Sequence, residues 1–168
     1  MFIRTKKIKG NHYAYIVENK WTRKKVRQRV KKYLGRVYKF PKTQDIDFFE
    51  HNKIQNPEQY IKDSSKKRII RDLIKIELLK HGFKQNKNIW KKDECMIDIK
   101  DLKIRNKKQK SIAVAFNEGL LTEFAVKKIL NLKVNNEKDT YLLAKAFVEA
   151  GLDIPKQLFI QFFNKFFK

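Results

Sequence analysis

Polar and apolar residues alternate with a period of two through the start of the chain. Residues 2–9 read FIRTKKIK and residues 12–19 read HYAYIVEN, with Gly10-Asn11 between them. Glycine followed by asparagine between two alternating runs predicts a two-residue hairpin turn with Gly at its first central position. In the second run Tyr13, Tyr15 and Val17 share one face, and His12, Ala14 and Ile16 share the other. Grouping with Val17 assigns Tyr13 and Tyr15 to the core. A loop with Trp21 and Thr22 leads to a third run, KVRQRVKKYLGRVY, where Val26, Val30 and Leu34 alternate with Lys25, Arg27, Arg29, Lys31 and Tyr33. This spacing predicts a three-stranded antiparallel sheet with one apolar and one basic face. Gly35 marks a bulge or bend.

Downstream the period changes. Residues 41–63, with Pro41, Pro57 and the acids Asp45, Asp47 and Glu50, read as a linker that holds a short helical turn. Residues 65–81 carry the clearest helical pattern: Ser64 or Ser65 caps the start, and Ile69, Ile70, Leu73, Ile74, Ile76, Leu78 and Leu79 form a wide apolar stripe. Gly82 stops this helix and lets Phe83 fold back on its last turn. Short strands are expected near 88–92, 95–99, 102–106 and 111–117. The remainder reads as helical. Thr122 caps a helix to about 131, Asn136 or Asp139 starts one that ends at Gly151, and Pro155 opens the last. The expected class is therefore α+β: a basic antiparallel three-stranded N-terminal sheet, then a helix plus small antiparallel sheet and a C-terminal helical bundle. The expected divisions are 1–40, a linker at 41–63, and a mixed domain at 64–168.

Charge sharpens the picture. The chain has 168 residues, 42% of them hydrophobic, and a formal net charge of +23. A core is within reach, while the excess of cations repels itself in the compact state and calls for an anionic partner. Residues 1–40 hold 14 Lys or Arg against one acid, Glu18; residues 41–110 hold 19 against 11; residues 111–168 hold 8 against 6. A general bias toward lysine would not remove acids from one end alone. The gradient instead separates a polyanion-binding end from an ordinary globular end. Cys95 stands alone, so no intrachain disulfide forms, and a reducing cytoplasmic location is expected. Met1 is followed by alternation, unlike a secretory leader, and no apolar run approaches membrane-spanning length.

The candidate nucleic-acid-binding residues are Arg4, Lys6, Lys7, Lys9, Trp21, Arg23, Lys24, Lys25, Arg27, Arg29, Lys31, Lys32, Tyr33 and Arg36. Guanidinium groups match phosphate oxygens with a planar fork, and aromatic rings stack on bases or sugars. The residues Phe2, Ile3, Arg4, Gly10, Tyr13, Tyr15, Val17, Glu18, Val26, Arg27, Gln28, Arg29, Tyr33, Leu34, Gly35 and Arg36 form a pattern. That pattern resembles the N-terminal β module of some insertion-sequence transposases of the DDE type. The resemblance covers about 35 of the 168 residues. It implies a module that contacts nucleic acid and tips the expectation toward DNA; structured or ribosomal RNA is the alternative, since a basic sheet with exposed aromatics fits it too. It does not imply transposition, because those proteins carry a catalytic domain of several hundred residues. The rest of the chain resembles small basic archaeal-type proteins.

Other chemistry is less well marked. Glu77, Asp98, Asp101 and Lys103 suit a metal-dependent nuclease in type, yet acid-x-Lys triplets arise by chance in a chain that is 35% charged. His12, His51, His81 and Cys95 offer no close ligand pair for zinc, and no glycine-rich phosphate loop occurs. No metal or cofactor is expected. In the C-terminal run, Lys156, Phe159, Phe162 and Phe163 match the spacing of a sliding-clamp-binding peptide, which would make residues 155–168 a protein-docking segment. Helical spacing of Phe159, Phe162, Phe163 and Phe166 explains the same residues as a buried face, and this is the favoured reading.

Overall fold

The computed structural model describes residues 1–23, 25–133 and 140–167. It is α+β. Nine strands form two sheets, and six helices accompany them among the described residues.

The N-terminal strands are β1 (Phe2–Ile8), β2 (Asn11–Trp21) and β3 (Val26–Lys39). All three are antiparallel. Ile8 pairs with Asn11, so the two turn residues are Lys9 and Gly10, one place earlier than expected. Both have positive φ, 46° and 81°, the geometry that matches the right-handed twist of a hairpin. Glycine thus occupies the second central position.

The sheet does not end at three strands. Val37, Tyr38 and Lys39 of β3 pair in parallel with Ala113, Val114 and Ala115 of β8 (Ala113–Phe116), and β8 pairs with β9 (Gly119–Leu121). The order is β1-β2-β3-β8-β9. Gly35 makes this junction possible. Its φ is +122°, and a Cβ there would lie 2.1 Å from the Ser111 carbonyl oxygen. The expected bulge is present: opposite Ala14/Tyr15 and Ile16/Val17 of β2 the register shifts, leaving Leu34 and Lys31 as extra residues in β3.

A second sheet, β4 (Lys84–Asn86), β5 (Ile89–Lys92), β6 (Cys95–Asp98) and β7 (Lys103–Asn106), is an antiparallel meander. Its inward residues Trp90, Cys95, Ile97 and Ile104 join the main core. The polar β4 and the three-residue β9 have too little alternation to be read from sequence.

Helix α3 (Lys66–Lys80) runs through that core. Ser65 caps it by accepting from the Arg68 N–H at 3.2 Å, and the chain folds back beyond it as Phe83 N–H donates to the Leu78 carbonyl at 2.9 Å. Ile69, Ile70, Leu73, Ile74, Ile76 and Leu78 are buried; each contributes roughly 1.5–3 kcal/mol by leaving water. The expected linker holds α1 (Phe48–His51) and α2 (Pro57–Asp63), whose Phe48 and Ile61 are core residues. Helix α4 (Glu123–Asn131) has Thr122 as its cap, accepting from the Ala125 N–H at 3.0 Å. Helix α5 spans Thr140–Glu149; the expected caps Asn136 and Asp139 lie outside the described residues. Helix α6 (Lys156–Phe167) follows Pro155. It is tied to α2 by Lys165, whose Nζ donates to the carbonyls of Ile61, Lys62 and Ser64 at 2.6, 2.9 and 2.7 Å. A cation there satisfies the open end of α2 and complements its dipole.

Candidate nucleic-acid interface

Two regions of the N-terminal strands present the cations, and they differ in construction. The first is an arm. Strand β1 accompanies β2 only as far as Val17, its partner at Phe2. Beyond that point β2 and β3 continue alone, pairing Glu18 with Arg29, Asn19 with Gln28, Lys20 with Arg27 and Trp21 with Val26. A tight turn closes the tip, with Thr22 and Lys25 exchanging backbone hydrogen bonds at 3.0 and 3.3 Å. At about 3.4 Å per residue the two-stranded part projects roughly 15–20 Å.

All described residues from Asn19 to Tyr33 are exposed on both faces of this ribbon. Paired residues share a face, so Lys20, Arg27 and Arg29 line one side with Glu18, while Asn19, Trp21, Val26 and Gln28 line the other. Trp21 ends β2, rather than lying in a loop, and is 82% exposed. Arg23 and Lys25 flank the tip; Lys24 lies outside the described residues. Glu18 is held by Lys31, Nζ to Oε1 2.7 Å, and this hydrogen bond keeps its carboxyl below the usual range. No other arm cation meets a carboxylate within 4.0 Å among the described residues.

The expected apolar face of β3 is therefore absent over the arm. Val26 and Val30 are 43% and 45% exposed, and only Leu34 is buried. Alternation put the valines on one side correctly, but nothing packs there because the ribbon has left the body.

The second region is the root of the sheet. Ala14, Ile16, Leu34 and Val37 form a small core with Ala113, and Phe124 packs on it. The opposite face carries Tyr13, Tyr15 and Tyr33 with Arg4, Lys6 and Arg36, placed by the pairs Arg4–Tyr15, Lys6–Tyr13, Tyr13–Arg36 and Tyr15–Tyr33. The assignment of Tyr13 and Tyr15 to the core is thus corrected: both are half-buried and neither joins a core cluster. The Ala14 face is the inward one, where Ile16, Leu34 and Val37 pack with Ala113 and Phe124.

The Tyr33 ring centroid lies 5.3 Å from Tyr15 and 6.3 Å from Tyr13. Lys6 Nζ sits 5.6 Å from the Tyr15 centroid. Arg36 donates to Asn11 Oδ1 at 2.7 Å, and Arg4 donates to Gln28 Oε1. Partial burial, then the neighbouring phenols, push the Tyr33 hydroxyl above its ordinary value.

The predicted residues do not share one plane. Arg4, Lys6, Tyr33 and Arg36 gather at the root. Trp21, Arg23, Lys25, Arg27, Arg29, Lys31 and Lys32 belong to the arm and its base. Lys7, paired with His12, points to the other face, and Lys9 occupies the hairpin turn.

The remaining candidates take structural places. Phe162 is fully buried, Phe163 is 7% exposed, and Phe159 packs against the core with its ring centroid 6.4 Å from that of Phe147. The side chains that a clamp-binding peptide would offer are held inside, and of that set Lys156 alone is exposed. Glu77 is fully buried, with Lys80 and Asn117 donating to its two oxygens at 3.2 Å each. Asp98 accepts from the backbone N–H groups of Lys100 and Asp101 at 2.9 and 3.1 Å, closing a turn. Asp101 pairs with Lys103 at 3.7 Å. No three His, Cys, Asp or Glu side chains come together as a metal cluster among the described residues. No described helix is long and apolar enough to cross a membrane.

No protein-family model, no curated protein and no solved structure matches the chain.

Proposed function

We propose that this protein binds nucleic acid without catalysing a reaction, gripping phosphates through the arm formed by β2 and β3. One observation carries the reading: a two-stranded ribbon exposed on both faces bears Lys20, Arg23, Lys25, Arg27 and Arg29, with its one acid already tied to Lys31. A ribbon that exposes every described residue from Asn19 to Tyr33 and repels itself adds little to the core. Its charges cost least when opposite charges lie against them. The resemblance of residues 2–36 to a transposase segment supports the same class of partner.

Dimensions favour duplex DNA as the polymer. The major groove of B-form DNA is about 12 Å wide and admits a two-stranded ribbon, whereas the A-form groove of RNA duplexes is too narrow to enter. Reversing charge at Arg27→Glu and Arg29→Glu together tests the reading. Both side chains are exposed, so folding is kept. Binding to a short DNA duplex at fixed salt is expected to disappear. Retained affinity in a folded double variant would move the site away from the arm.

A further inference from the structure

The root of the sheet has a feature that phosphate gripping does not use. Tyr13, Tyr15 and Tyr33 turn away from the core and cluster ring to ring, with Tyr33 51% exposed. On this face of β2 only Val17 is fully buried, at 1% exposed, while Tyr13 and Tyr15 are half-buried and the Tyr33 ring beside them stays open to a ligand. We propose that this tyrosine face, framed by Arg4, Lys6 and Arg36, stacks unpaired bases and so gives the protein a second, single-strand binding surface beside the arm. The inference rests on the nucleic-acid reading above and adds to it a part of the ligand that duplex DNA hides.

The geometry suits a strand laid across the sheet. Tyr13 and Tyr15 stand two residues apart on β2, about 6.5–7 Å along the strand. Tyr33 stands beside them on the neighbouring strand, paired with Tyr15. Arg4 and Lys6 on β1 are paired with Tyr15 and Tyr13, and Arg36 on β3 is paired with Tyr13, so cations border the rings on both sides. Every base has a π face, so ring stacking tolerates any sequence, while the bordering cations meet the sugar-phosphate chain. Bases paired in a duplex are already stacked on one another and cannot reach such a platform. Unpaired DNA and unpaired RNA share the required chemistry.

The test compares oligomers of about 12 nucleotides, within the usual span of a single-strand site. The probes are oligo-dT, oligo-U, an abasic deoxyribose-phosphate chain of the same length, and a DNA duplex. They are measured with the full chain and with Tyr33→Leu and Tyr15→Leu. Leucine keeps apolar area and removes the ring, and thermal melting confirms that each variant is folded. The wild-type chain is expected to bind oligo-dT or oligo-U about tenfold to hundredfold more tightly than the abasic chain. Either leucine variant should narrow that gap about tenfold while leaving duplex affinity unchanged. Preference for oligo-dT or for oligo-U identifies the source of the unpaired strand. Equal binding of abasic and base-bearing chains, or a gap that survives both substitutions, overturns the inference while leaving the arm reading intact. Failure of the wild-type chain to bind any probe, duplex included, overturns both.

Discussion

The arm makes a quantitative prediction about salt. Each phosphate neutralised on B-form DNA releases counterions, so the logarithm of affinity falls against the logarithm of salt with a slope near −0.9 per contact. Among the described residues of the arm and its base, Lys20, Arg23, Lys25, Arg27, Arg29 and Lys32 meet no carboxylate, whereas Lys31 is tied to Glu18. Six contacts give a slope of about −5.4, and a fourfold rise in salt should weaken duplex binding roughly 1,800-fold. Neutralising Arg27→Gln and Arg29→Gln leaves four contacts, a slope of about −3.6 and a fall of about 150-fold over the same range. Glu18→Gln should act in the opposite sense, since it frees Lys31 and steepens the slope by about one contact. Lys108→Gln and Lys110→Gln, in the turn that precedes β8, serve as the control and should change neither slope nor affinity beyond a small offset. Fluorescence anisotropy with a labelled duplex at four or five salt concentrations supplies the slopes. Equal slopes for wild type and the Arg27/Arg29 variant would refute the argument, because phosphates would then be held elsewhere.

Three further outcomes concern the scaffold. Gly35→Ala forces a side chain into backbone at 2.1 Å and into a φ that L-residues avoid, so denaturant unfolding should report a loss of about 2–4 kcal/mol; a change below about 0.5 kcal/mol would mean that β3 and Ser111 are not in contact. Glu77→Ala leaves the Lys80 ammonium, which is 8% exposed, with Asp153 at 3.8 Å as its remaining carboxylate, and should cost up to about 3–5 kcal/mol by the same measurement; a neutral result would mean that Asp153 and water suffice for it. Burial, then the Asp93 and Glu94 charges, push the Cys95 thiol up to about 12. The unfolded chain ionises this thiol first, so its contribution to stability is present below about pH 9 and is lost as pH rises toward 12. An alkylating reagent at pH 8 should label Cys95 far more slowly in the native chain than in denaturant, and equal rates would contradict its burial.

Local rules carried most of the fold. Ser65, Thr122 and Gly82 act as written, and Lys66–Lys80 and Glu123–Asn131 fall within a residue or two of expectation, because caps and stripes are set by neighbours in sequence. The errors arose where a local pattern has two solutions. A period of two says that Tyr13 and Tyr15 share a face, not that the face is inside. The inside is the face where Ala14, Ile16, Leu34 and Val37 meet Ala113 and Phe124, partners about a hundred residues away from Ala14. Val26 and Val30 were misread for the same reason, since the pattern cannot tell a covered strand from one that has left the body. The parallel pairing of β3 with β8 joins residues 37 and 113, and nothing near either signals it except the backbone demand met by Gly35.

The outward placement of the tyrosine rings bears directly on function. Had they been core residues, the N-terminal strands would offer charge alone, and charge alone holds any polyanion. With the rings outward, the same forty residues contain two devices that respond to different parts of a ligand. On the proposed reading the arm answers to phosphate density alone, whereas the tyrosine face answers to unpaired bases as well, with Arg4, Lys6 and Arg36 adding a salt-dependent part. Strand β2 runs through both, from Asn11 to Trp21, but Tyr13 and Tyr15 lie on the face that Trp21 continues, whereas Lys20, Arg27 and Arg29 lie on the other, so one ligand reaches both only by passing around the ribbon. Their joint occupancy calls for a nucleic acid that is double-stranded over one stretch and single-stranded over the next. A duplex with a single-stranded overhang should therefore bind more tightly than either component alone, by a factor set by the effective concentration of the tethered half. An overhang that adds nothing to duplex affinity would mean that the two surfaces, although they share strand β2, act apart.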